Sequence, residues 1–262
     1  ETGAMSTPLE AAGLNLNDTL WSAKALLECP DLVRKVHYDY YAAGANAVEA
    51  CSYQATEAAF ARKGIEKAEA SRLIRLSGEL MREAKNDALL EHPEWDPADL
   101  LTAGSIGPYG AYLADGSEYT GAYNLTREEY YAFHQLRLDE LLNSGMDILA
   151  IETQPRFDEI EALLAMIADR DITCWVTVTL KDGDMPDGTK LEVLAKCLDA
   201  DPHVEAFGFN CVKREWVEPG LKRLSAYTDK PLVVYPNSGE TYDPTTKTWH
   251  AQGVHELSLI HI

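Results

Sequence analysis

Short apolar runs alternate with long amphipathic stretches along most of this chain, and this alternation restricts its fold more than any other feature. Six such runs span residues 45–51, 99–105, 147–152, 174–180, 204–210 and 231–236. The last four begin at intervals of 27, 30 and 27 residues, which suits one strand and one helix in each unit. The pattern therefore predicts strands that alternate with helices.

The stretches between the runs predict helices over residues 30–43, 57–91, 127–144, 157–169, 191–199 and 216–228. Short, almost continuous apolar strands separated by helices are typical of a parallel sheet covered on both faces. The fold class is therefore α/β, and we predict a (β/α)8 TIM barrel. An open doubly wound sheet is the alternative, but no G-x-G-x-x-G turn follows a predicted strand, which disfavours nucleotide binding.

The predicted barrel is incomplete at both ends of the chain. Six strands and a stub before Gly3 are visible, whereas a closed barrel has eight, so we expect a shortened first strand and no last strand. Residues 257–262 (LSLIHI) look like a translated sequencing adapter, and we expect them to be a non-native tail. Residues 1–256 then form a single barrel domain that is truncated at its C-terminus.

Charge and hydropathy exclude several classes of function. The chain has 23 Lys and Arg against 43 Asp and Glu, a formal net charge of −20, and such a surface gains nothing from counterion release on nucleic acid. No apolar stretch approaches the roughly 18 residues of a membrane span, and no leader-like segment opens the chain. The five cysteines are an odd and widely spaced set, unlike the dense even pattern of a disulfide-rich secreted domain, so we expect reduced thiols. We expect a cytoplasmic, monomeric protein with small-molecule partners and no nucleic-acid or membrane partner.

Polar and small residues collect where the predicted strands end, and that face of a barrel carries its chemistry. The long segment 106–123 follows the second strand, and Glu152 ends the third. Asn210 and Cys211 lie at the end of the fifth strand, and Ser238 follows the sixth. Because the residues before Glu152 are apolar, we expect its carboxylate to enter the mouth of the barrel.

These strand-end phrases resemble the homocysteine S-methyltransferase family, in the branch that uses S-methylmethionine or S-adenosylmethionine as methyl donor. The resemblance covers nearly the whole chain and is most specific at residues 107–121 (GPYGAYLADGSEYTG). It also includes residues 3–10, 17–22, 52–56, 208–211 (GFNC) and 235–240 (YPNSGE). The resemblance implies methyl transfer to L-homocysteine, giving L-methionine.

The resemblance also implies a zinc ion that is held by three cysteine thiolates and leaves its fourth position for the homocysteine sulfur. Zinc binds thiolates in tetrahedral geometry, and a catalytic site keeps one position open. Cys211 matches the first ligand of the family. The other two are adjacent cysteines after the last strand, and no cysteine follows position 211 in this sequence.

The same resemblance assigns residues to the homocysteine pocket. Glu152 would bind the amino group, and the backbone N–H groups of Gly3 and Ala4 would bind the carboxylate, since small residues permit close approach. Asn210 and Ser238 would line the same pocket. The family usually has Asp before the glycine, where this chain has Thr2, so that contact is altered or belongs to a non-native end.

The segment 106–123 is predicted to form the methyl-donor side of the mouth. It carries Tyr109, Tyr112, Asp115 and Glu118, and a sulfonium cation is attracted by aromatic faces and by carboxylates. A packed surface loop with structural tyrosines is the alternative.

Two functions from different classes remain open at this point. The chain is a homocysteine S-methyltransferase, or it is a non-catalytic amino-acid-binding barrel or inactive fragment that lacks the full zinc site. A lyase or aldolase reading has less support, because no lysine ends a predicted strand.

Overall fold

The computed structural model describes residues 5–237 and the backbone of residues 241–243 and 248–250. Its strands are β1 (Ala47–Glu49), β2 (Leu101–Ile106), β3 (Ile148–Gln154), β4 (Cys174–Val178), β5 (Val204–Asn210), β6 (Leu232–Tyr235), β7 (Thr241–Asp243) and β8 (Thr248–His250). Each of the six predicted strands is present, and the fifth has the predicted bounds.

The first six strands form one sheet in the order β1-β2-β3-β4-β5-β6, and every neighbouring pair is parallel. The α/β class is confirmed. A doubly wound sheet reverses its strand order at a switch point, and the described strands have no such reversal. Sequential parallel order is the order of a barrel wall. Closure into eight strands stays a prediction, and β7 pairs with β8 in a separate antiparallel ribbon.

Three helices precede β1, and the others lie between successive strands of the sheet. The helices are α1 (Ser6–Ala11), α2 (Ala25–Glu28), α3 (Pro30–Ala42), α4 (Glu57–Ala61), α5 (Lys67–Glu91), α6 (Tyr109–Leu113), α7 (Ser117–Thr120), α8 (Arg127–Ser144), α9 (Phe157–Ile167), α10 (Leu191–Ala200) and α11 (Arg214–Leu224), with 3-10 turns at Trp21–Lys24 and Pro97–Asp99. No helix in the described part of the chain is long and apolar enough to cross a membrane.

The prediction of one continuous helix over residues 57–91 is wrong. The segment divides into α4 and α5, and Gly64 lies between them with a φ of 73°. A left-handed residue ends a helix, and glycine takes that conformation at little steric cost. The longer piece, α5, packs between α3 and α8 and presents a buried face that includes Leu73, Ile74 and Met81.

Helix α8 has the predicted bounds because strong local signals define both of its ends. Thr126 caps the N-terminus: its hydroxyl accepts from the Glu129 backbone N–H at 3.3 Å, and the Glu129 carboxylate accepts from the Thr126 N–H at 2.7 Å. Gly145 ends the helix with a φ of 74°. This helix carries buried polar residues that contact the loops at the mouth.

The strand ends that line the mouth are themselves buried. Every residue of β4 is buried, as are the last six of β3. Strands β5 and β6 approach closely at Gly208, where a Cβ would stand 2.0 Å from the Val233 carbonyl oxygen. Parallel strands end at the same edge of a sheet, so their polar termini share one recess at this edge.

Candidate active site

Glu152 lies near the end of β3 with only 7% of its surface exposed. One of its carboxylate oxygens accepts a short hydrogen bond from the Ser105 hydroxyl at the end of β2, and the other accepts from the Tyr235 hydroxyl at 3.2 Å. Burial raises the pKa of Glu152 to about 7, although these hydrogen bonds and the Arg137 charge oppose the rise. The carboxylate is therefore held in one orientation in a medium that favours pairing with a cation.

Tyr235 is itself oriented by two side chains of β4. Its hydroxyl lies 2.9 Å from the Thr177 hydroxyl and accepts from the Trp175 indole N–H at 3.3 Å. Because the indole can only donate, this phenol oxygen is an acceptor toward Trp175 and a donor toward Glu152. Residues of β2, β3, β4 and β6 thus contribute to the position of one carboxylate.

Cys211 follows β5 directly and is partly exposed. Its backbone is left-handed, with a φ of 50°, and its N–H donates to the Tyr235 carbonyl at 3.2 Å. Burial raises the pKa of the Cys211 thiol to about 12, and the charges of Glu152, Glu49 and Glu118 act in the same direction. Two of these carboxylates lie at or near strand ends, Glu49 on β1 and Glu152 on β3, and Glu118 lies on α7 in the segment after β2.

Asn210 connects the ends of β5 and β3. Its side-chain oxygen accepts from the Thr153 backbone N–H at 2.7 Å, and its amide N–H donates to the Thr153 hydroxyl at 2.7 Å and to the Cys211 sulfur at 3.5 Å. Thr153 has a φ of 58°, which is rare for a β-branched residue and typical of a functional site. Asn210 was predicted to line the homocysteine pocket; its amide holds Thr153 and contacts Cys211.

The segment 106–123 contains α6 and α7. The four residues of this segment that were predicted to lie on the methyl-donor side have different surroundings. Glu118 is half-buried on α7, burial raises its pKa, and its Oε2 accepts no hydrogen bond from the described residues. The Asp115 carboxylate accepts from the Ser117 N–H at 3.0 Å, at the first residue of α7.

The two tyrosines pack on the other side of this segment. The Tyr109 ring lies 5.5 Å from the Tyr112 ring and 4.9 Å from the Phe133 ring of α8. The Arg62 guanidinium carbon lies 3.7 Å from the centre of the Tyr112 ring. That ring face is therefore occupied by a cation of the protein itself. The Glu118 charge helps to raise the pKa of Cys211, whereas Tyr109 and Tyr112 lie in an aromatic cluster beside α8.

Gly3, Ala4 and Ser238, which were predicted to bind homocysteine, lie outside the described residues. Their assignment stays a prediction.

A profile of the family described as homocysteine S-methyltransferase matches residues 2–260. This chain belongs to the homocysteine S-methyltransferase family. It is 50% identical over 259 residues to homocysteine S-methyltransferase of Escherichia coli, covering 98% of this chain and 83% of that protein. It is 45% identical to the Bacillus subtilis homocysteine S-methyltransferase YbgG, covering 95% of this chain and 80% of that protein, and 38% identical to a selenocysteine methyltransferase of Astragalus bisulcatus, covering 94% and 78%.

The fold agrees with a solved member of the homocysteine S-methyltransferase family. The metallated form of the E. coli homocysteine methyltransferase MmuM superposes with a TM-score of 0.87 at 49% identity, covering 91% of this chain and 83% of that one. The family resemblance predicted from strand-end phrases is confirmed.

The cysteines of this homocysteine S-methyltransferase family member do not by themselves make a zinc site. The thiol of Cys51 is buried and donates to the Ser22 carbonyl at 3.1 Å, so it packs in the core. Cys174 begins β4, at the opposite edge of the sheet from Cys211. Among the described residues no group of three His, Cys, Asp or Glu side chains could hold a metal ion. Cys211 is one ligand candidate, and the described residues do not complete a tetrahedral set.

Sequence reasoning assigned no site role to Ser105, Thr177, Tyr235 or Glu49. Ser105 and Tyr235 end strands of the sheet, so strand-end position was the signal available for them. Glu49 is the last residue of the short strand β1, next to the buried Val48. Because side chains alternate along a strand, the Glu49 carboxylate lies on the opposite face from Val48.

Proposed function

We propose that this protein transfers a methyl group from a sulfonium donor, S-methylmethionine or S-adenosylmethionine, to the sulfur of L-homocysteine, giving L-methionine. The observation that carries the proposal is a buried, oriented carboxylate, Glu152, whose charge acts on a strand-end thiol, Cys211, in a chain that belongs to the homocysteine S-methyltransferase family.

In this proposal Glu152 binds the α-ammonium group of homocysteine. Its two oxygens are held by Ser105 and Tyr235, which leaves each oxygen further lone pairs for an ammonium N–H. A bound cation also offsets the cost of an ionised carboxylate in a buried position. The amino acid is then oriented by a charge-assisted hydrogen bond, which is stronger than a neutral one.

The chemical step is a direct displacement. Homocysteine loses its thiol proton to solvent, and the resulting thiolate attacks the methyl carbon of the sulfonium. The new S–C bond forms as the donor C–S bond breaks, and the bonding electron pair stays on the donor sulfur, which leaves as a neutral thioether. Such a step depends on alignment of two sulfurs and one carbon, and no base is needed at the methyl group.

The donor side of the recess is assigned to Glu118. Its buried Oε2 accepts no hydrogen bond from the described residues, and its charge acts on Cys211. A sulfonium is a cation and is favoured beside that carboxylate. Tyr109, Tyr112 and Asp115 are proposed to shape the segment that presents Glu118.

Zinc dependence is a separate part of the proposal, with Cys211 as one thiolate ligand. The described residues supply no complete set, and no cysteine follows position 211 in the 262-residue sequence. We further infer that the sheet is the wall of a (β/α)8 barrel, and that the protein is cytoplasmic and monomeric.

A second candidate is an amino-acid-binding barrel without methyl transfer. The observation that favours it is the single thiol in the recess, with no metal-holding group among the described residues. The two candidates share the Glu152 pocket and differ in zinc content and turnover.

One experiment separates them. Zinc content and methionine formation from homocysteine plus S-methylmethionine are measured on the 262-residue chain and on a version extended to the natural stop codon of its gene. Stoichiometric zinc and turnover in the extended protein support the methyltransferase. Homocysteine binding without turnover in either version supports the binding barrel.

The pocket itself is tested with Glu152→Gln. Loss of one charge-assisted hydrogen bond is worth about 1.5–3 kcal/mol, so homocysteine should bind about 10- to 150-fold more weakly by calorimetry. Glu205→Gln is the matched control, because Glu205 is exposed on β5. Equal affinity of the Glu152→Gln variant and the unmodified protein would remove Glu152 from the pocket.

A further inference from the structure

A buried arginine on α8 connects the two loops that follow β1 and β2. Arg137 is 1% exposed. Its Nη1 donates to the Tyr53 carbonyl at 2.6 Å, and its Nη2 donates to the Gly107 carbonyl at 2.7 Å. Tyr53 lies in the loop after β1, and Gly107 begins the segment that carries Glu118. One guanidinium therefore joins both loops at the mouth to a helix behind the sheet.

The same guanidinium determines the tautomer of His134, one helical turn earlier. Its Nη2 also lies 2.7 Å from His134 Nδ1, and because arginine can only donate, Nδ1 is the acceptor. The imidazole proton is then on Nε2, which donates to Glu159 Oε1 at 2.8 Å. Burial, reinforced by the Arg137 charge, holds the pKa of His134 below its ordinary value, although Glu159 opposes this. A neutral imidazole thus links a buried cation to a buried anion.

Glu159, on α9, forms hydrogen bonds to two further points of residues 107–123, which we call the donor segment. Its Oε1 accepts from the Tyr109 backbone N–H at 2.7 Å, and its Oε2 accepts from the Tyr123 hydroxyl at 2.6 Å. Tyr109 lies at the start of the segment and Tyr123 at its end. Both ends of the stretch that holds Glu118 are therefore attached to one fully buried carboxylate.

We propose that Arg137, His134 and Glu159 form a positioning relay that holds the donor segment, residues 107–123, in the geometry that presents Glu118 to the methyl donor. The inference rests on the proposed methyl transfer. The relay acts through backbone groups of two loops, so it positions binding groups and takes no part in the displacement. His134 is its central member, because it must accept from Arg137 and donate to Glu159 at the same time.

Two substitutions at His134 test this requirement. His134→Leu removes both hydrogen bonds, whereas His134→Gln keeps one acceptor and one donor on a planar group. Tyr123→Phe is a milder variant that removes only the phenol bonded to Glu159. Hydrogen exchange is measured on the 262-residue chain with each substitution, and steady-state kinetics with S-methylmethionine and homocysteine are measured on the extended protein.

His134→Leu should speed amide exchange in residues 107–121 by about tenfold or more while leaving β5 and α10 unchanged, and His134→Gln should restore protection. Displacement of a binding group should raise the KM for S-methylmethionine by about tenfold and change the KM for homocysteine less than about twofold. Tyr123→Phe should produce a smaller change of the same kind.

Unchanged exchange in residues 107–121, faster exchange throughout the chain, or equal rises in both KM values would overturn the relay. Failure of the Gln variant to recover protection would also overturn it. If the unmodified extended protein makes no methionine, the proposed function fails, and the exchange data still decide whether the relay holds the segment.

Discussion

His37 should make the protein less stable in mild acid. It lies on α3, is 1% exposed, and its Nε2 has no hydrogen-bond partner among the described residues. Burial lowers the pKa of His37 from 6.5 to about 3, because a charged imidazole would lose its hydration there. The unfolded chain takes up this proton near pH 6.5, whereas the folded chain does not until about pH 3. The free energy of unfolding is therefore unaffected by His37 titration above pH 6.5 and decreases as the pH falls from 6.5 to about 3.

The magnitude follows from the two pKa values. Each pH unit below the unfolded pKa costs about 1.4 kcal/mol until the folded pKa is reached. Between pH 7.5 and pH 5.5 the free energy of unfolding should therefore fall by about 1.4 kcal/mol through His37 alone. A lower pH would enlarge the effect, but it would approach the isoelectric point of about 4.6, where solubility falls.

The assay is urea unfolding at pH 7.5 and 5.5 of the unmodified protein and of His37→Leu, a buried substitution that cannot titrate. Other titrating groups contribute equally to both proteins, so the difference between their pH dependences isolates His37. His92→Gln is the matched control, because the His92 side chain is 37% exposed. The same loss of stability on acidification in the unmodified protein and in His37→Leu would refute the reasoning.

Three further substitutions test the packing and the caps that hold the recess. Gly208→Ala places a Cβ 2.0 Å from the Val233 carbonyl oxygen. The substitution should lower the free energy of unfolding in urea by about 3 kcal/mol or prevent soluble expression. An unchanged urea midpoint would contradict the close approach of β5 and β6. Thr126→Ala removes the cap of α8 and should cost about 1 kcal/mol in the same assay, with Thr126→Ser as the control that keeps it. Asn210→Ala leaves the buried Thr153 N–H without its acceptor and should lower the free energy of unfolding by about 1–3 kcal/mol. A melting temperature equal to that of the unmodified protein would argue against that role.

Much of the scaffold could be predicted from local sequence. The six strands and the ends of α8 depend on apolar periodicity and on end signals such as Thr126 and Gly145, which act over a few residues. The division of the long helical stretch also has a local cause in Gly64, although amphipathic periodicity on both sides conceals it. Strand order was predictable to the extent that consecutive parallel units pack beside each other.

The candidate site was only partly predictable. Strand-end position and the family resemblance predicted a common location for Glu152, Asn210 and Cys211, because the ends of parallel strands share one edge of the sheet, and their binding roles stay predictions. Which of them contact each other depends on side-chain direction and on the register between strands. The Asn210 amide is bonded to Thr153 on β3, two strands away in the sheet.

The sequence by itself determined the α/β class, the strand positions and the family, since these depend on periodicity, end signals and contiguous motifs. Only the tertiary structure decided that Glu152 is held by Ser105 and Tyr235 and that Tyr112 is covered by Arg62. It also decided that Arg137, His134 and Glu159 meet behind the donor segment. The physical reason is that, apart from His134 and Arg137 on one turn of α8, these contacts join residues that are far apart in the chain, and no local pattern records the burial or the direction of their side chains.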